Sequence, residues 1–550
     1  MAGAAALGIG ELVGGFRAAW QGPVVSVAEA VIDAVPRPVK DFGIETFGAN
    51  DKIALIIGIL IFSVIFAAVL GLIARRRLAI GAAGFALFAA VGIWASQQLV
   101  GTDVSATIPS IAAGLAGIAA LTLLIRAATH TPTPVSVSSP SPLAATTPVI
   151  ATQAATAERP APTTTTPALT TPALTTPASP PKPPEMPIVV SVDGRSSRRR
   201  FLLVGAAIAA VAAGAAASGR GLRNRFSAAE SRASVVLPPV ANPLAAAPAT
   251  VSVDTAGASP FFTPNANFYR VDTALAVPQV QAESWSLRVT GLVDREIELS
   301  FADLLDRSLV EEDITLTCVS NTVGGGLVGT ARWLGLPLRD LLDEAGVDPS
   351  ADQIIGRSVD GYTCGFPLEA AYDRPALIAI GMNGEPLPIE HGFPARLMVP
   401  GLYGYVSATK WLTEIELSRF DAFDQYWVER GWDEQAPIKL MSRIDTPRTL
   451  GKVTPGVAVI GGVAWAQTIG ISKVEVAIDD GEFAEAELAD ELNLNTWRQW
   501  KLGWDATPGR HRLTVRATDA NGQLQTDARA DPFPNGASGW MSIFVDVTDA

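Results

Sequence analysis

The chain has little charge for its length and few of the residues that bind metals or haem. Of 550 residues only 17% are charged, three are histidine, and two, Cys318 and Cys364, are cysteine. No Cys-x-x-Cys-His haem attachment, iron-sulfur cysteine set or dinucleotide-binding glycine fingerprint is present, so the sequence carries no electron-transfer centre of those kinds. Three histidines are also a poor set for paired-histidine haem ligation. The two cysteines leave one disulfide open, between Cys318 and Cys364, if this part of the chain is exported. A formal net charge of -13 removes nucleic acid as a default partner.

What is abundant is apolar. Hydrophobic residues make up 48% of the chain and the mean hydropathy is positive, which is unusual for a soluble enzyme of this size. Residues 53–74, 78–100 and 104–125 are uncharged runs, each near the roughly 20 residues that cross a bilayer as a helix. A fourth run, 201–219, is shorter and rich in alanine and glycine. Ahead of these, residues 1–50 have scattered apolar positions and few charges, which predicts an amphipathic or interfacial segment. Between the third and fourth runs, residues 129–195 are dominated by Thr, Pro, Ala and Ser. Such a composition cannot build a core and predicts a disordered tether with a reach on the order of 100 Å.

The second half changes character. Residues 314–326, Ile-Thr-Leu-Thr-Cys-Val-Ser-Asn-Thr-Val-Gly-Gly-Gly, put Cys318 at the end of an alternating apolar strand, where the chain breaks into a glycine-rich loop. A lone cysteine in a strand reads as a small buried hydrophobe, and a thiolate at a strand end reads as a ligand for a soft metal. Downstream lie Ala331-Arg332-Trp333, His391-Gly-Phe-Pro394-Ala-Arg396-Leu-Met-Val-Pro400-Gly401 and Lys410-Trp411. Taken in this order with the cysteine, they resemble the sulfite oxidase family of molybdopterin enzymes over residues 260–548. The family pattern pairs a metal-binding Cys with Ala-Arg-Trp, His-Gly-x-Pro-x-Arg-x-x-x-Pro-Gly and Lys-Trp.

That resemblance implies a molybdenum-molybdopterin cofactor (Moco), with Cys318 as the thiolate to molybdenum and Cys364 structural. Asn267, Tyr269 and Arg270 match the first pterin-contacting stretch, and Arg270 falls where the family keeps an anion-binding arginine beside the metal. His391 and Arg396 match a pair that holds the pterin phosphate end, Ala408, Thr409 and Lys410 a segment that closes over it, and Ser358 a further pterin contact. Arg and Lys supply the charge-assisted donors that a phosphate demands. Two positions depart from the pattern. Val323 stands where sulfite oxidases carry a second arginine, and residues 427–432, Trp-Val-Glu-Arg-Gly-Trp, stand where they place a tyrosine near the metal. The pocket expected here is less cationic than one built for sulfite. Electrons must pass through a separate partner, a cytochrome or membrane redox protein.

Charge orients the membrane part. Arg75, Arg76 and Arg77 between the first two runs favour a cytoplasmic loop. Counting from there puts the N-terminus outside, the tether inside and everything beyond the fourth run outside. Ser197-Arg198-Arg199-Arg200-Phe201-Leu202 precedes that fourth run, and its charge also prefers the cytoplasm. It resembles a twin-arginine export signal, the route for a domain that crosses already folded around a cytoplasmically inserted cofactor.

From about residue 438 to 547 alternating strands and Asp-Gly and Asn-Gly turns predict an immunoglobulin-like β-sandwich, which in the family often mediates dimerisation. The chain is thus expected to be multidomain: an N-terminal segment (1–50), three transmembrane helices (51–128), the tether (129–195), a signal-like fourth helix (196–220), a linker (221–259), an α+β sulfite oxidase-like molybdopterin domain (260–432) and the sandwich (433–550). The implied function is oxygen-atom transfer between the metal and a small oxyanion or sulfoxide, in a multi-pass protein of a prokaryotic plasma membrane with its catalytic domain outside. The alternative is a non-enzymatic stalked surface protein with a decayed cofactor site.

Overall fold

The computed structural model describes residues 1–36, 39, 42, 43, 46, 47, 51–98, 102–129 and 195–549. The predicted tether, apart from its first residue and its last, lies outside the described residues. Four helices, Lys52–Ala74, Leu78–Gln98, Val104–Thr129 and Arg199–Ser234, are long and apolar enough to cross a membrane, within a few residues of the runs read from sequence at the first three. Within the stretch read as an amphipathic or interfacial segment, the N-terminal residues form two short apolar helices, Ala2–Gly14 and Pro23–Ala34. The first buries Ala2, Ala5, Ala6, Gly8, Gly10 and Gly14. A Cβ added at Gly8 would lie 2.4 Å from the Ala212 carbonyl oxygen, so the absence of a side chain there lets this helix meet the fourth apolar helix backbone to backbone.

Residues 286–418 form an α+β region. One sheet runs in the order Ile297–Ser300, Ser286–Gly291, Leu412–Ser418, Gln353–Ser358, Thr363–Pro367. A second runs Val310–Thr317, Val328–Pro337, Leu377–Met382, Glu385–Pro386, and Arg396–Met398 also pairs with Leu377–Met382. The strand Val310–Thr317 buries every residue from Asp313 onward, and its outer edge meets the segment at Asn495, whose carbonyl accepts from the Thr315 amide. A continuous core spans both sheets, with Trp333, Phe366, Phe393, Leu287 and Ile314 among its fully buried side chains.

Beyond residue 440 the chain is β-rich. Four strands in the order Met441–Thr446, Gly456–Trp465, Arg498–Ala506, Glu487–Leu488 form one sheet, and five in the order Lys452–Val453, Met541–Val547, Gly509–Asp519, Ile471–Ile478, Ala484–Glu485 form another. A separate apolar cluster that includes Ile460, Val474, Trp500, Leu513 and Val545 fills them, as expected of strands that alternate inward apolar and outward polar residues.

Candidate active site

The strand Val310–Thr317 delivers Cys318 to its position. The Cys318 amide donates to the Leu327 carbonyl at 3.0 Å, the Asn321 amide to the Cys318 carbonyl at 3.0 Å, and the Leu327 amide to Asn321 Oδ1 at 2.9 Å. Asn321 therefore ties off the glycine-rich loop and fixes the cysteine at its mouth. Cys318 and Cys364 are both free and buried, so the alternative disulfide is not formed. Cys364 Sγ instead lies 2.8 Å from Thr409 Oγ1. Burial pushes the Cys318 thiol up, while the Ser320 amide and hydroxyl and the Lys410 ammonium pull against it.

Cys318 opens into a cavity of about 120 Å³ that is also lined by Tyr269, Ser358, His391, Arg396, Ala408 and Lys410. Arg396 begins the strand Arg396–Met398 and is only 5% exposed. One of its terminal nitrogens donates to the His391 carbonyl at 3.1 Å and its guanidinium lies over the Trp333 ring at 5.3 Å. Its Nε is buried with no hydrogen-bond partner, and among the described residues no carboxylate pairs with it. Burial without a counter-ion lowers its pKa to about 10. Burial, followed by the Arg396 and Lys410 charges, lowers His391 to about 4. The loop between these groups passes close to Lys410. Gly392 has a φ of +110°, and a Cβ there would lie 3.1 Å from Lys410 Cα and 3.2 Å from Arg396 Cβ, so only glycine suits both the backbone and the space.

Lys410 donates to Asp272 Oδ2 at 2.8 Å and to the Glu390 carbonyl at 3.2 Å, and lies 4.7 Å from the Trp411 ring centroid. Burial lowers its pKa to about 8 against the pull of Asp272. Trp411 holds a φ of +49°, unusual for a bulky residue and an indication of local strain; its indole N–H donates to the Ile389 carbonyl at 2.8 Å.

Three of the predicted site residues are not brought to the cavity lining. Arg270 turns to Asp272, Nε to Oδ2 2.8 Å, with its side chain 40% exposed. Asn267 is exposed on a single 3-10 turn, and the buried ring beside it is Phe268. Thr409 has its hydroxyl on Cys364 and on the Gly356 carbonyl at 3.4 Å, so only its neighbours face the cavity. Val323 does not contribute apolar surface to the cavity either; it packs against the cluster of Val251, Phe261, Trp465 and Trp497. Trp427 does line the cavity, and Trp432 stands behind it with ring centroids 6.1 Å apart. Sequence reasoning missed Asp272, Asp360, Tyr362 and Tyr405, which also line it. The Tyr362 hydroxyl donates to the Tyr405 carbonyl at 2.6 Å. Asp360 and Tyr362 lie two and four residues after Ser358, and that nearness was the available signal.

Residues 274–427 match the family described as oxidoreductase molybdopterin binding domain. The chain is 29% identical over 341 residues to mitochondrial sulfite oxidase of Mus musculus, covering 52% of this chain and 62% of that one. It is 30% identical over 320 residues to sulfite oxidase of Gallus gallus, with 49% and 69% covered. To the uncharacterized oxidoreductase YuiH of Bacillus subtilis it is 34% identical over 152 residues, with 27% and 72% covered. The chain spans 62% or less of the length of the mammalian relatives. The matched segment contains the cysteine, the buried arginine and the lysine that meet in the cavity, and with these relatives it establishes that the chain belongs to the sulfite oxidase-like family of molybdopterin oxidoreductases.

Proposed function

We propose that the chain is a membrane-anchored molybdenum oxidoreductase that transfers an oxygen atom to or from a small oxyanion or sulfoxide, with its catalytic half on the extracytoplasmic side. The observation that carries this reading is the buried Arg396, whose Nε lacks any acceptor in the cavity that Cys318 also lines. A buried guanidinium without a counter-ion is costly, and a phosphate-bearing ligand resolves that cost. The donor set therefore fits a molybdopterin. When bound, that group supplies a two-electron redox metal able to accept or release an oxygen atom.

The chain's own groups divide the work. Cys318 would supply the thiolate to molybdenum: burial favours the protonated thiol in the free chain, and its sulfur is of the kind that a soft metal prefers. Arg396, His391 and Lys410 hold the phosphate end, and Lys410 stays a cation by leaning on Asp272. Tyr269 and Ser358, on the same lining, would contact the pterin. With Arg270 turned away and Trp427 on the lining, the substrate side is more aromatic than cationic, which favours a sulfoxide or larger oxygen donor over sulfite. Electrons pass to or from a separate redox partner. The β-rich region beyond residue 440 is assigned as the immunoglobulin-like sandwich and dimerisation module, and Arg198 and Arg199 as an export signal.

The orientation gains support from contacts at the helix ends. Lys52, at the start of the first apolar span, reaches Asp272, and Trp20 Nε1 donates to Ser105 Oγ at 2.8 Å. These contacts agree with a count that puts both the start of the first span and the catalytic half outside. The test uses the full chain from a molybdenum-replete host: bound molybdenum near one per chain, and sulfoxide reduction faster than sulfite oxidation with an artificial carrier. Absence of molybdenum defeats the assignment, and efficient sulfite turnover defeats the substrate preference.

A further inference from the structure

Residues 270–274 line one rim of the cavity through Val271, Asp272 and Thr273, yet they belong to no helix or strand. Something other than a backbone ladder must hold them. From within, the Asp272 carboxylate, only 4% exposed, accepts from Arg270 and Lys410. The other hold comes from far away in sequence. Lys52 Nζ donates to the Asp272 carbonyl at 2.6 Å, to the Ala274 carbonyl at 2.7 Å and to Asp272 Oδ1 at 3.3 Å. Lys52 opens the first membrane-crossing helix, Lys52–Ala74.

A lysine at a span end ordinarily turns its ammonium to lipid headgroups or water. Here the ammonium grips backbone and side chain of one irregular loop, and the same carboxylate orients Lys410 on the cavity wall. We propose that Lys52 is a positioning residue for the cavity: docking of the first span fixes the Asp272 loop, and through it Lys410, so that the anion-binding wall is complete only in the anchored protein. The link to cofactor retention rests on the reading of Lys410 as a phosphate contact.

The chemistry sets the form of the effect. Asp272 keeps Arg270 and Lys410 when Lys52 is lost, so the wall loosens rather than collapses. Outer partners of metal-site ligands typically change affinity by about ten- to a hundredfold, and the lower end is expected here because two cations remain.

The test compares full-length wild type with Lys52→Met and Lys52→Arg in lipid nanodiscs. Amide exchange of residues 270–274 should quicken about tenfold in Lys52→Met, bound molybdenum should fall on dilution, and Lys52→Arg should restore both. Unchanged exchange in Lys52→Met overturns the docking. Faster exchange with undiminished molybdenum overturns the coupling to Lys410. A wild type without molybdenum defeats the functional reading instead, and the exchange comparison then still decides whether Lys52 holds the loop.

Discussion

On one side of the cavity, Cys318 stands at the end of a strand that the rest of the protein closes in. The Thr315 amide donates to the Asn495 carbonyl at 2.9 Å, the Trp497 amide to Thr315 Oγ1 at 2.8 Å, and Gln467 Nε2 to the Thr315 carbonyl at 2.6 Å. Arg443 crosses from the β-rich region to the Gly325 carbonyl at 3.0 Å while paired with Asp445 at 2.6 Å. One buried hydroxyl, Thr317 Oγ1, has no partner there. On the other side, Arg396 and Lys410 bring two buried cations, Asp272 answers only the second, and His391 is held neutral between them. Hydrogen bonds from the β-rich region hold the first wall, whereas the second has a charge that no carboxylate among the described residues balances. A fold can preform a metal ligand with its own hydrogen bonds, but an anion site retains its strain until the anion arrives.

The hardest test of the first wall is Cys318→Ser. The side chain is small and its loop is held through backbone, so unfolding should barely move. Turnover should fall by more than about a hundredfold, beyond what outer partners of metal sites usually contribute. Turnover per chain and the thermal midpoint check both, and retained activity removes Cys318 from the centre.

Arg396→Met separates the walls more sharply, because two properties should move in opposite directions. Without cofactor the variant should be more stable by about 1–3 kcal/mol, since a buried uncompensated charge has been replaced by an apolar chain of similar length. Cofactor affinity should drop by about ten- to a hundredfold with the loss of charge-assisted hydrogen bonds. Denaturant titration of apoprotein and molybdenum content after dialysis measure the pair. Loss of apoprotein stability would show that Arg396 is already satisfied.

Much of this asymmetry was legible in the sequence and part of it was not. Cys318 at a strand end, and His391, Arg396 and Lys410 in their motifs, were legible as members of one site because each sits in a distinctive string that resembles the family pattern, and all four line one cavity. Asp272 did not, since its role comes from Lys410, 138 residues away, and from Lys52 on another helix. Arg270 and Thr409 were drawn in by neighbours in the chain, yet side-chain direction is set by packing: one meets Asp272 and the other Cys364. Val323 stands where the family pattern has an arginine, but the loop turns it to the apolar cluster of Val251, Phe261, Trp465 and Trp497. The two N-terminal helices were hidden for a related reason. The first buries only alanine and glycine, which carry almost no periodic signal, and the second buries Val24, Ser26, Ala28 and Ala30.

The second wall should also give itself away in acid. Burial and the two neighbouring cations lower His391 from its ordinary 6.5 to about 4. Between those values the unfolded chain binds the extra proton and the folded chain does not, so the contribution is complete above 6.5 and is lost as pH falls toward 4. The loss amounts to about 3 kcal/mol in the apoprotein. An anion between Arg396 and Lys410 screens the repulsion, so the loaded protein should lose less. Unfolding at pH 7 and 4.5, with and without cofactor, and in His391→Gln, measures it; equal slopes in wild type and His391→Gln would assign the acid sensitivity elsewhere.

The smallest effect belongs to Thr315→Val, which probes the first wall where the β-rich region meets the cysteine strand. The change keeps shape and β-propensity but removes the acceptor for the buried Trp497 amide. An unsatisfied amide of that kind costs about 1–2 kcal/mol, felt as faster amide exchange around Thr315 and Trp497. Because this wall is closed by chain atoms and carries no charge toward the cavity, molybdenum content should stay at the wild-type level even as local exchange quickens. Loss of molybdenum in Thr315→Val would mean that the β-rich region tunes the metal ligand itself, and the division between the two walls would then have to be abandoned.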